Sequence, residues 1–169
     1  SPYSRTGILE GNPIHKDMIA ASKMAHQKYI VNVIIDADKK VVHAVAGDAI
    51  EAHAAGCKFL QDYCQVVPKK AADIAISTNG GYPLDQNMYQ SVKGMTAAEA
   101  AAKDDGILIM VSNCGDGHGG EGFYEALKNC SSPADLMAEI LKVPQDQTKP
   151  DQWEYQIQCR ILMQHKVIY

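Results

Sequence analysis

Two loops in this sequence carry residue types that could do chemistry. The first runs Ser77-Thr78-Asn79-Gly80-Gly81-Tyr82-Pro83-Leu84-Asp85 and leads into Gln86-Asn87-Met88-Tyr89-Gln90-Ser91-Val92-Lys93-Gly94. Gly80 and Gly81 let the backbone turn sharply or approach a ligand closely. Gln90 and Lys93 stand three residues apart, a spacing that puts them on one helix face, and Gln86 extends the polar strip. An amide beside an ammonium suits a small carboxylate or hydroxy acid, with roughly 1.5–3 kcal/mol for a charge-assisted hydrogen bond. The same spacing describes a solvated helix face ending in a lysine that complements the helix dipole. Spacing alone leaves both readings open.

The second loop, Ser112-Asn113-Cys114-Gly115-Asp116-Gly117-His118-Gly119-Gly120-Glu121, sets Asp116, His118 and Glu121 among four glycines. Asp, His and Glu can ligate a metal, a histidine oriented by a carboxylate can move protons, and a helix starting near Gly120 could meet an anion. A tight turn in which Asp116 and His118 satisfy backbone groups accounts for the same residues without any ligand. No second ligand pair at helical spacing supports a metal, so no metal ligand is assigned. Within Ala52-His53-Ala54-Ala55-Gly56, His53 reads as a packed core-edge residue or a cofactor contact. A glycine inside a helix costs about 1 kcal/mol relative to alanine, so close packing is expected at Gly56. Trp153 shares a helical stripe with Ile157 and Ile161, which makes it core by position, or else a pocket wall. His15, His26, His43 and His165 have no supporting context.

The elements that must position these residues begin with a helix–hairpin–helix segment. Asn12-Pro13 predicts an N-cap and a first-turn proline, followed by Ile14, Met18, Ala21 and Ala25 at helical spacing. Tyr29–Ile35 and Val41–Ala46 are β-branched runs separated by five turn-type residues, which predicts a hairpin. Asp48 and Glu51 open a helix to about Tyr63, with Ile50, Ala54, Cys57 and Leu60 expected inward. A composition shift at Gln65–Lys70 marks a boundary, giving units 1–64 and 70–169.

The second unit alternates strand and helix. Expected are a strand Asp73–Thr78, a helix capped by Asp85 and ended by Gly94, a helix from Thr96 to about Lys103, and a strand Ile107–Ser112. Helices through about Asn129, from Ser132-Pro133 to Leu141, and after Asp151 follow, with a strand beginning at Val167. Repeated strand–loop–helix units predict an α/β fold with a mixed or parallel sheet covered by helices. Ligands in such sheets bind outside the carboxyl ends of the strands, which is where both loops fall.

Composition narrows the function classes. The chain has 169 residues, 46% hydrophobic and 21% charged, with a net charge of −4. Without a basic run it has no footprint for nucleic acid, and no apolar stretch is long enough for a membrane helix. Five cysteines without a CxxC pair imply reduced thiols and a cytoplasmic protein. No signal peptide is evident, and the opening on Ser1 rather than Met reads as a cut or processed end.

The strings Ser77–Gly94, Lys93-Gly94-Met95-Thr96-Ala97-Ala98-Glu99-Ala100 and Asp116-Gly117-His118-Gly119-Gly120-Glu121 closely resemble stretches of the nickel-dependent lactate racemase family. Gly11-Asn12-Pro13, Ala46-Gly47-Asp48 and Ala52–Gly56 are similar as well. The resemblance spans essentially the whole chain. It implies racemisation or epimerisation of a small 2-hydroxy acid by reversible hydride transfer to a nickel-pincer nucleotide, a step suited to an electron-poor pyridinium. It further implies substrate-binding roles for Gln90, Lys93 and Trp153. Asn79, Gly80, Gly81, Asp116 and His118 are then expected in loops that shape a cleft. The family's cofactor-bearing lysine, nickel-binding histidine and acid/base histidines have no counterpart in this sequence. Residues 1–64 therefore resemble the end of the cofactor-side amino-terminal domain, and 70–169 a carboxy-terminal substrate-binding or lid domain cut short at its end. The expectation is a half-site with no catalytic residue and no bound cofactor, inactive without the missing amino-terminal domain. A racemase of malate or a sugar acid, or a non-catalytic anion- or nucleotide-binding module, would use the same residues.

Overall fold

Asn12 opens the first helix as its sequence predicts: its side-chain oxygen accepts from the N–H groups of Ile14 (3.0 Å) and His15 (3.4 Å), with Pro13 at the first helical position. The computed structural model describes residues 3–169, and the chain divides into two units between Val67 and Pro68.

The first unit contains α1 (Pro13–Met24), the antiparallel hairpin β1 (Ile30–Ile35) and β2 (Val41–Gly47), and α2 (Ala49–Cys64). Asp48 caps α2 by accepting from the N–H groups of Glu51 and Ile50, bonds that hold its carboxyl below the ordinary aspartate range. The inward face of α2 differs from expectation. Ala52 is buried and Gly56 half-buried, whereas Ile50 and Leu60 are 37% and 44% exposed. Close backbone approach decides this: a Cβ on Gly56 would lie 3.3 Å from Val45 Cγ2. The helix turns its small residues, four apart, toward the hairpin.

The second unit is α/β. In chain order it holds β3 (Ala72–Thr78), α3 (Met88–Glu99), β4 (Ala102–Val111), α4 (Glu121–Lys128), α5 (Pro133–Lys142), a 3-10 turn (Gln145–Gln147), α6 (Gln152–Gln164) and β5 (Lys166–Ile168). The sheet is parallel throughout, in the order β3-β4-β5. Ala75, Leu108 and Val167 lie in one row across it and pack into a core with Met95, Ala98, Met110 and Ile161. A second cluster joins Val92 to Phe123, Ile140 and Tyr155. Helix α3 therefore enters both cores, and its buried side runs Ser91, Val92, Gly94, Met95, Ala98. Among the described residues, no helix is long and apolar enough to cross a membrane.

Three boundaries depart from the sequence reading. Two helices meeting at Gly94 were expected, but α3 is continuous, and Gly94 is buried in its middle. A Cβ there would run into Asn79 Oδ1 and lie 2.7 Å from Met110 Cε, so the glycine permits close helix–sheet packing instead of ending the helix. Thr96, expected to cap a second helix, donates its hydroxyl to the Lys93 carbonyl (2.7 Å), as a residue inside a helix does. The alanine-rich stretch then gives way early to β4, where Ala102 pairs with Ala72 and Lys103 bonds Asp73 (2.6 Å). Strand pairing overrides helix propensity there.

Candidate functional site

The first turn of α3 is assembled from both glycine-rich loops. Asn87, not Asp85, is its N-cap, accepting from the Gln90 N–H (2.9 Å). Asp85 instead uses its carbonyl to accept from the Cys114 N–H (3.0 Å). The next helix N–H groups, of Met88 and Tyr89, donate to the carbonyls of Gly117 (3.0 Å) and His118 (3.1 Å), and the Asp116 N–H donates to the Gln86 carbonyl (2.8 Å). The second loop thus satisfies donors that a helix start leaves orphaned. Gly119 makes the contact possible. It has φ +86°, and a Cβ on it would lie 2.8 Å from Tyr89 Cβ and 2.9 Å from Asn87 Cγ.

Asp116 and His118 therefore act through their backbones, Asp116 on Gln86 just before α3 and His118 on Tyr89 in its first turn. The Asp116 side chain is exposed, and the His118 ring stacks on Tyr124 with centroids 4.2 Å apart. Asn79 acts from the first loop, donating its amide to the carbonyls of Leu84 and Gln90, both at 2.6 Å. Gly80 and Gly81 have φ values of +80° and +95° with no atom near a built Cβ, so the turn itself, not crowding, requires them.

On the outer side of α3, Lys93 Nζ donates to Gln90 Oε1 at 2.7 Å. The same ammonium lies 5.7 Å from the centroid of the Tyr89 ring and 5.9 Å from that of Trp153. The two rings meet edge to face at 6.2 Å. Trp153 is 48% exposed, so it does not join Ile157 and Ile161 of its helical stripe in the core and lies instead beside Lys93. Tyr89 donates its hydroxyl to Asp151 Oδ1 (2.9 Å), and burial together with that carboxylate pushes the phenol up to about 12. Asp151 occupies the cap position of α6 with φ +63° but makes no capping bond, because its side chain is turned to Tyr89.

Beside this group lies Glu154, fully buried, with neither carboxyl oxygen hydrogen-bonded. Burial raises its pKa to about 7 against the opposing pull of Lys93, and Asp151 raises it further. Sequence reasoning missed Tyr89, Asp151 and Glu154. Tyr89 adjoins Gln90 and could have been flagged, but an acid in the first turn of a helix has an ordinary dipole explanation. The resulting arrangement is an exposed ammonium held by an amide, walled by two aromatic rings, with a buried acid near it. It can grip a small anion. Among the described residues, no group of three or more His, Cys, Asp or Glu side chains converges to hold a metal ion. The described residues thus offer no such cluster to a nickel ion.

The sequence profile described as lactate racemase C-terminal domain matches residues 67–169, more than half of the chain. The chain belongs to the lactate racemase family. It is 56% identical over 168 residues to a lactate racemase of Thermoanaerobacterium thermosaccharolyticum, covering 99% of this chain and 39% of that protein. It is 52% identical over 169 residues to a lactate racemase of Lactiplantibacillus plantarum, covering 100% of this chain and 40% of that one. The solved structure of the lactate racemase apoprotein from T. thermosaccharolyticum superposes with a TM-score of 0.93 at 56% identity, over 99% of this chain and 40% of that one. The α/β fold is thus that of a lactate racemase, and the chain spans about two fifths of the length of the curated relatives it matches.

Proposed function

We propose that this chain supplies the acid-gripping face of a lactate-type 2-hydroxyacid racemase. The observation that carries the reading is the Lys93 ammonium, held at 2.7 Å by Gln90 and flanked by Tyr89 and Trp153. Lys93 pairs with the substrate carboxylate. Gln90 Oε1 accepts from Lys93, which leaves the amide NH2 to donate to the acid. Asn79 and Asn87 fix the Gln90 backbone, so the amide is pre-oriented. Trp153 and Tyr89 wall the site and limit the size of the group on C2.

The nickel-pincer nucleotide that the family resemblance implies supplies a hydride acceptor when bound. Residues of the amino-terminal domain, outside this chain, hold it and move the hydroxyl proton. By itself the chain is inactive. Five free cysteines fit a protein of the reducing cytoplasm.

A chiral assay of the intact, nickel-loaded protein tests the reading. Lactate enantiomers should interconvert, and Lys93→Ala should lower kcat/KM by roughly 10- to 150-fold, the equivalent of one charge-assisted hydrogen bond. Nickel content should be unaffected. Loss of nickel in Lys93→Ala would give the lysine a different role. Turnover of malate or a sugar acid instead of lactate would reassign the substrate, and anion binding without turnover would leave a binding module.

A further inference from the structure

Glu154 has no structural partner of the kind that buried carboxylates ordinarily have. Glu99, also on the α3–α6 contact, shows the contrast: its carboxylate receives both Arg160 Nε (3.0 Å) and Nη2 (2.6 Å). Glu154 is fully buried, and neither of its oxygens is hydrogen-bonded. The groups that face it are Lys93 and Tyr89 from α3, Tyr169 after β5, and Asp151 at the start of its own helix. Lys93 is the cation of this set. A buried acid whose charge is offset mainly by one ammonium is sensitive to whatever else that ammonium binds.

We propose that Glu154 is a proton-linked positioning residue for Lys93: when an organic acid pairs with the ammonium, Glu154 takes up a proton. The inference rests on the reading of Lys93 as the carboxylate contact. In the free site burial pushes the Glu154 carboxyl up to about 7, against the opposing pull of Lys93. A bound carboxylate spends the lysine charge and adds a negative charge nearby, so the glutamate becomes harder to ionise. Below about pH 7 Glu154 is already protonated, and affinity is independent of pH. Above it, binding must bring in a proton, and affinity weakens by up to about tenfold per pH unit until the bound-state pKa is passed. The site therefore holds its acid most tightly on the acidic side of neutrality.

The test is calorimetric titration of the intact, cofactor-loaded protein with racemic lactate, which undergoes no net reaction. Buffers of different ionisation enthalpy report proton uptake at each pH between about 6 and 8.5. Wild type should take up a substantial fraction of a proton above neutrality, and a protonated-carboxyl infrared band should grow on adding lactate. Glu154→Gln should show no linked uptake, no such band, and an affinity flat within about twofold over this range. Glu154→Met, which also carries no proton, should repeat the flat profile and guards against a folding defect peculiar to glutamine. If Glu154→Gln keeps the wild-type slope and uptake while Lys93→Ala abolishes lactate binding, the role of Glu154 is refuted and the site reading stands. If Lys93→Ala binds lactate as wild type does, the site reading fails and the inference fails with it.

Discussion

Tyr89 and Asp151 are joined by a 2.9 Å hydrogen bond across 62 residues of chain, and that bond ties the first turn of α3 to the start of α6. Trp153 lies two residues beyond Asp151, so the bond also sets the distance between the indole and Lys93. The phenol, raised to about 12, stays a donor throughout the physiological range. Tyr89→Phe keeps the ring and deletes the donor, leaving the half-buried Asp151 carboxylate without it. The expected loss is about 1–3 kcal/mol in urea unfolding, together with a raised KM for lactate in the intact protein. Unaltered stability and KM would show that α6 is held by its packing alone.

The glycine-rich second loop works as a brace, and two of its neighbouring glycines separate that role from general flexibility. Gly119→Ala places a methyl against Tyr89 and Asn87 at a left-handed φ, so it should destabilise by about 1–3 kcal/mol. It should also depress lactate turnover without removing any polar side chain. Gly122 lies in α4 with no atom within 4 Å of a built Cβ. Gly122→Ala should stabilise by about 0.5–1 kcal/mol and leave turnover alone. Equal effects of the two substitutions on unfolding would contradict the brace.

Local signals made part of this architecture legible in advance. Asn12 and Asp48 cap their helices with their own side chains, and the hairpin follows from β-branched runs around a polar turn, so these elements need no distant partner to specify them. Gln90 and Lys93 share a face because helix geometry fixes three-residue spacing. What was hidden depends on contacts remote in sequence. Gly94 looks like a helix stop until Met110 is seen beneath it, and the alanines after Glu99 look helical until Ala72 pairs with Ala102. Asp116 and His118 suggest side-chain chemistry, yet their backbones do the bonding. The acidic character of Glu154 is set by burial, which no spacing rule reports.

Asn79 links the first loop to the helix that carries Gln90. One amide nitrogen donates to two carbonyls, those of Leu84 and Gln90, at 2.6 Å each. Asn79→Ala leaves both acceptors without this donor, and the Gln90 acceptor is partly buried. A cost of about 1–3 kcal/mol follows. Asn79→Asp should do no better, because a carboxylate cannot donate to a carbonyl. Urea unfolding of the three proteins at pH 7 checks this, and full retention of stability in Asn79→Asp would refute the assigned donor.

The raised pKa of Glu154 also makes stability depend on pH in a direction opposite to acid denaturation. The ordinary value is 4.5 and the folded value about 7, so between these limits the folded protein binds more protons than the unfolded chain. Stability from this group is therefore fully present below about pH 4.5, declines as pH rises, and levels off above 7. The whole change is on the order of 3 kcal/mol. Asp48 and Asp73, whose carboxyls are held below their usual range, act with the opposite sign and only at more acidic pH, so the two effects separate on the pH axis. Subtracting the pH profile of Glu154→Gln from that of wild type isolates the glutamate. Wild type should lose stability relative to the variant between about pH 5 and 7.5, measured as the urea midpoint with a constant m-value. A difference profile that is flat, or that rises with pH, would mean that Glu154 is ionised at little cost in the folded protein.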